Sequence, residues 1–211
     1  MPELLEICCG TKSISKVFAA NGWHCTTVDI DKKFEPDICV DIMDLDLSQF
    51  EIGSFTYIHC SPPCQNFSIA HQGVRDLDGA DRLVERCLSI ISHLGPRWFS
   101  VENPASGLLR TRAYVQGIPF NVASYCKYGF PYRKNTIFFN NIENWNPMTC
   151  NKDCDAIGLN DSGRIGHLHS AQKGKSRGIL LTDVDYTTTQ LYRIPPALVL
   201  SLYNAITDEL D

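Results

Sequence analysis

The chain has 211 residues, 44% of them hydrophobic, and a formal net charge of -5. One core under an open α/β sheet fits this length, so a single domain over residues 1–211 is expected; the acidic balance excludes the extended basic surface of a non-specific nucleic-acid binder. No run approaches the roughly 18 apolar residues of a spanning helix, MPELLEICCG lacks a secretory pattern, and ten cysteines lie largely in apolar runs, so a soluble monomer without membrane partners or structural disulfides is expected, in the cytoplasm, nucleoid or host-cell interior.

In chain order, ELLEICCG, HCTTVDID, PDICVDI and FTYIHCSPP read as short strands, with SKVFAANG a helix between the first two. This is the rhythm of βαβ units in a parallel sheet, whose ligands bind at the carboxyl ends of the strands. From Ala80 to Leu94, the apolar Leu83, Val84, Cys87, Leu88, Ile90, Ile91 and Leu94 recur at helical spacing, and Gly95 with Pro96 supplies the stop. RWFSVENP follows as a strand and its exit. YCKYGFPYRKNTIFFNN reads as two β segments around a turn. Residues 144–182, rich in Asn, Asp, Gly, Lys and Cys, show no period and read as an inserted loop region. In IPPALVLSLYNAITDEL, Pro195 and Pro196 open a closing amphipathic helix. The expected class is α/β: a mostly parallel sheet flanked by helices, with a small loop-rich insertion.

The densest chemical signal is CSPPCQNFS, where two prolines leave an apolar strand and fix the backbone before Cys64. Pyrimidine C5 is a poor nucleophile until a thiolate adds at C6 and makes an enamine, a task that suits a rigidly held thiol. Taken alone, Cys64 reads as a structural cysteine in a turn. Glu102 in SVENP shifts the balance, because a carboxyl at cytosine N3 makes C6 more electrophilic; a helix cap near Pro104 is its plainer role. LEICCGTKS offers Glu6 and a glycine turn at Gly10, where backbone amides can approach a polar ligand. Roughly 20 residues on, Asp29 ends a strand where it can accept two ribose hydroxyls. Asp41 ends a third, where it can receive an adenine amino group. Each acid alone reads as a surface group; the set reads as a nucleoside site.

Together these segments resemble the DNA cytosine-5 methyltransferases, especially small phage and virus-like members with SPPC and ENP motifs, nearly end to end. The resemblance implies a Rossmann-like methyltransferase fold and S-adenosylmethionine as methyl donor, leaving S-adenosylhomocysteine. It implies DNA as partner, double-stranded and with a flipped cytosine as acceptor. Cys64 is then the nucleophile with Gln65 beside it, Glu102 meets the base, and Asn103 supports the nucleophile loop. The cofactor residues so implied are Glu6, Cys8, Gly10, Asp29 at the ribose, Ile30 and Asp41 at the adenine, Ile42 and Pro62. Lys12 and Ser13 stand where larger members have glycines. DGADRLVERCL resembles the loop and helix after the nucleophile, and YRIPPALVLSLYNAI the closing motif that packs on the cofactor site. Where larger members carry Gln-x-Arg-x-Arg, this chain has Tyr132, Lys134 and Thr136, leaving Lys134 or Arg133 as the catalytic cation at the cytosine carbonyl. Target recognition is reduced to the loop region, which implies short or loose specificity.

Other readings stay open: an amino methyltransferase acting on cytosine N4 or adenine N6, an RNA or nucleotide methyltransferase, and a non-catalytic accessory that binds DNA or cofactor. Cys150, Cys154, His167 and His169 are zinc-binding types, but the His-x-His spacing favours a metal-free turn. Arg133 with Lys134, and Lys173, Lys175 and Arg177, are local basic clusters able to neutralise phosphates; scattered solvated charge explains the second equally well.

Overall fold

The computed structural model describes residues 1–69, 71, 73–159, 163–169 and 186–210. Strands β1 (Glu3–Ile7), β2 (His24–Asp29), β3 (Ile38–Cys39), β4 (Tyr57–Cys60) and β5 (Trp98–Pro104) run parallel. After β6 (Phe120–Ser124), β7 (Asn135–Asn140) inserts antiparallel between β5 and β6, so the sheet order is β3-β2-β1-β4-β5-β7-β6. The expected mostly parallel sheet flanked by helices is therefore what forms.

Alternation along the strands divides the core between two faces. Leu4 and Tyr57 pack with Ile14 and Phe18 of α1 (Ser13–Ala20) and with Leu198, Leu202 and Ile206 of α4 (Pro196–Thr207). Leu5, Ile7, Ile58 and Cys60 pack on the opposite face with Val84, Cys87, Ile90 and Leu94 of α2 (Leu77–Leu94). Asp76 caps α2 by accepting from Gly79 N at 2.8 Å, and Gly95 ends it at φ 58°, the left-handed region glycine tolerates. Pro196 opens α4 as expected, and a short α3 (Thr188–Tyr192) precedes it. Among the described residues no helix is long and apolar enough to cross a membrane.

The local patterns mislead at several places. The Ile38–Asp41 segment forms only the two-residue β3, so Asp41 lies just beyond the strand rather than ending it. YCKY is not a strand but a 3-10 turn over Tyr125–Tyr128; the first β segment lies upstream as β6, disguised by Asn121 and Ser124, whose side chains pair with Asn140 and Asn135. No helix starts at Pro104: β5 runs through Glu102, which excludes the capping role. The loop region holds a hairpin of β8 (Ile157–Leu159) and β9 (Ile165–His167), hidden in the sequence by the facing Gly158 and Gly166. Lys173, Lys175 and Arg177 lie outside the described residues, as does much of the expected recognition region.

Candidate active site

One cleft of about 620 Å³ runs along the carboxyl ends of β1, β2, β4 and β5. Glu6, Cys8, Gly10, Asp29, Ile30, Asp41, Ile42 and Pro62 all line it, together with Cys64, Glu102 and Lys134. The volume suits a drug-sized ligand.

At the β1 end, the carboxylate of Glu6 is engaged twice: it accepts from Ile14 N at 3.2 Å and Ser15 N at 2.8 Å, the first amides of α1. Lys12, at the N-terminus of that helix, offers no side-chain cap, so Glu6 reaching up from the strand replaces it. Burial raises the Glu6 carboxyl to about 7 against these hydrogen bonds. Gly10, at φ 46°, donates its N–H to Asp29 Oδ2 at 2.8 Å, and Asp31 N donates to the other oxygen of Asp29. The glycine turn and the end of β2 are thereby locked together. Ile30, 67% exposed, presents an apolar rim beside them.

At the β4 end, the chain leaves the sheet through Pro62 and Pro63, and Asn103, wholly buried, donates Nδ2 to Pro62 O at 3.1 Å. This bond ties the Cys64 loop to β5. Gln65 donates to the Tyr192 hydroxyl at 2.6 Å, joining the loop to α3. Burial pushes the Cys64 thiol up, the Glu102 charge adds to that, and Lys134 opposes it. Glu102 is itself raised by burial and eased down by Lys134, Tyr125 and Ser61. Its Oε1 accepts from the Tyr125 hydroxyl at 3.4 Å.

Of the two candidate cations, Lys134 lines the cleft, with Nζ 4.9 Å from the Tyr125 ring centroid and donating to Leu191 O at 3.0 Å. Arg133 points out to solvent, donates Nε to Asn135 at 3.0 Å, and is absent from the cleft lining. Both precede β7, which begins at Asn135; Lys134 is half-buried and Arg133 exposed.

Residues 4–118 match the family model of the C-5 cytosine-specific DNA methylases. Over 95% of this chain and 98% of the relative, the sequence is 32% identical to "Probable DNA (cytosine-5)-methyltransferase" of frog virus 3 (isolate Goorha). The chain belongs to the C-5 cytosine-specific DNA methylase family. In fold, 76% of it superposes with TM-score 0.52 and 18% identity on 57% of a prophage-encoded "putative DNA modification methyltransferase" of E. coli; the chain thus spans little more than half of that protein. Membership implies use of S-adenosylmethionine. The matched segment of this methylase includes Cys64 and Glu102 but stops short of Lys134.

Several residues at the site gave no sequence signal. Tyr192, Thr188 and Thr189 reach the cleft from a distant segment, and buried Tyr125 stands behind it, holding Glu102. Of the four candidate metal ligands, Cys150, Cys154 and His167 converge and Cys126 joins them; His169 stays apart, its backbone bridging Tyr132 and its ring edge-on to Tyr186. Cys126 in YCKYG went unread because it lies in the turn mistaken for a strand.

Proposed function

We propose that this methylase transfers a methyl group from S-adenosylmethionine to C5 of a cytosine flipped out of duplex DNA, with Cys64 as covalent nucleophile. The observation that carries the reading is the single cleft that joins the Cys64–Glu102–Lys134 group to the acidic strand ends. The cofactor end fits a nucleoside bearing a charged tail: a turn of backbone amides at Gly10, the carboxylates of Asp29 and Asp41, and the Ile30 and Ile42 side chains for a purine face. Glu6 serves it indirectly, by holding α1. S-adenosylmethionine supplies there a methyl group on a sulfonium centre, ready for attack.

At the other end, the Cys64 thiol gives its proton to solvent and its sulfur bonds to C6 while the ring's electron pair moves toward N3, which takes the proton held by Glu102. Burial raises the affinity of Glu102 for its proton, which favours its part as the acid in this step. Lys134, the cation near both groups, stabilises the forming thiolate and holds the cytosine carbonyl oxygen. After methylation the N3 proton returns to Glu102, and transfer of the C5 proton to water expels Cys64 as its thiolate. Asn103 and Gln65 hold the loop so that Cys64 faces the base.

The test is trapping on a 5-fluorocytosine duplex, whose C5 fluorine cannot leave as a proton. A denaturation-resistant protein–DNA adduct that disappears in Cys64→Ala is expected. Methyl transfer that survives Cys64→Ala would replace the covalent reading with amino methylation.

A further inference from the structure

We propose that Cys126, Cys150, Cys154 and His167 bind a structural zinc ion that clamps the β8–β9 hairpin to the wall of the active site. One ligand atom from each lies within 4.8 Å of all the others, and His167 Nε2 stands 3.5 Å from the sulfurs of both Cys150 and Cys154. Tetrahedral zinc, with Zn–S near 2.3 Å and Zn–N near 2.0–2.1 Å, requires a sulfur–nitrogen edge of about 3.6 Å. His167 already stands at that spacing from Cys150 and Cys154.

Ordinary packing does not account for the group. One imidazole nitrogen cannot satisfy several thiols, and among the described residues the apolar cluster here is Cys126, Cys150 and Ala156 with Cys154 against it. The hairpin pairs just three residues per strand, with glycines facing one another at its centre. A two-stranded unit of that size is marginal without support, and a metal supplies what a core this small cannot. Three sulfurs and a nitrogen complete the zinc shell, leaving no position for a substrate, so the ion is structural rather than catalytic.

The ligands come from three segments: the 3-10 turn between β6 and β7, the loop before β8, and the end of β9. All lie beyond residue 118, where the match to the family model ends. Cys126 follows Tyr125, whose hydroxyl holds Glu102. The clamp therefore fixes the backbone that positions the acid of the proposed reaction, and anchors the hairpin beside it.

The test measures metal in the full-length protein purified from zinc-supplemented medium. About one zinc per chain is expected, and replacement by Co²⁺ should give tetrahedral visible bands with sulfur-to-cobalt charge transfer. Cys154→Ser and His167→Ala should lose most of the bound metal, whereas His169→Ala should keep it. Because the first two variants can misfold, chelation of the wild type is followed in parallel: three thiols should become reactive to a disulfide reagent as zinc leaves. Protein without stoichiometric zinc, a cobalt spectrum lacking thiolate charge transfer, or equal loss in His169→Ala would each overturn the assignment, whether or not DNA is methylated.

Discussion

The Tyr125 hydroxyl donates to Glu102 Oε1 at 3.4 Å, with both side chains buried. Burial raises the Glu102 carboxyl, and Lys134, Tyr125 and Ser61 each pull it back. Removing the hydroxyl in Tyr125→Phe should therefore raise Glu102 further and shift the alkaline limb of kcat to higher pH, since the protonated acid is the working form. Tyr125 stabilises the carboxylate that remains once Glu102 has given up its proton, and a hydrogen bond to a charged group is worth about 1.5–3 kcal/mol, so kcat should fall roughly tenfold while KM for DNA holds. A pH profile identical to wild type would remove Tyr125 from this positioning role.

The adjacent cations should separate cleanly. Lys134→Ala is expected to lower kcat/KM by about 10²-fold, the scale of one lost charge-assisted hydrogen bond, while Arg133→Ala should stay within about threefold. Steady-state kinetics on one duplex decides it; the reverse ranking would place the guanidinium at the base.

Buried His59 contacts Ser100 Oγ at 2.7 Å and Ser61 Oγ at 2.8 Å, and burial lowers it to about 3. The unfolded chain takes up a proton near pH 6.5 and the folded one does not, so this contribution to stability is complete above about pH 6.5 and is lost as pH falls toward 3. Between pH 7 and 5 it amounts to about 2 kcal/mol. Urea unfolding at both values should show that loss in wild type and much less of it in His59→Gln.

Glu6 supplies the N-terminus of α1 with its acceptors, so Glu6→Ala should destabilise the protein by about 2 kcal/mol even without cofactor. A thermal melt without S-adenosylmethionine checks this. An unchanged melting temperature with weakened cofactor binding would make Glu6 a direct ligand instead.

What could be read in advance was local. Glu6, Asp29 and Glu102 are legible because buried parallel strands are short apolar runs and each acid interrupts or ends one, although Glu102 proves to lie inside β5. Helix α2 was visible from its period and its Gly95 stop, although its first turn, which begins at Leu77 behind the Asp76 cap, was missed. Contacts between distant segments left no trace. Gln65 meets Tyr192 across 127 positions, and Cys126 meets its cluster only after β7 has been crossed. Side-chain chemistry alone leaves Arg133 and Lys134 open, whereas the fold brings Lys134 into the cleft lining and leaves Arg133 exposed.

Ser13 Oγ accepts the amide of Ile194 at 3.1 Å, across 181 positions, and both residues line the cleft. The packing of Ile14 and Phe18 on Leu198, Leu202 and Ile206 closes the same long loop, and its entropy must be met before the pocket exists. A chain emerging from the ribosome would carry Glu6, Asp29 and Asp41 long before it could retain S-adenosylmethionine. Cofactor retention would thus report completed synthesis through Ile194, and the nucleophile would stay idle until translation had passed it.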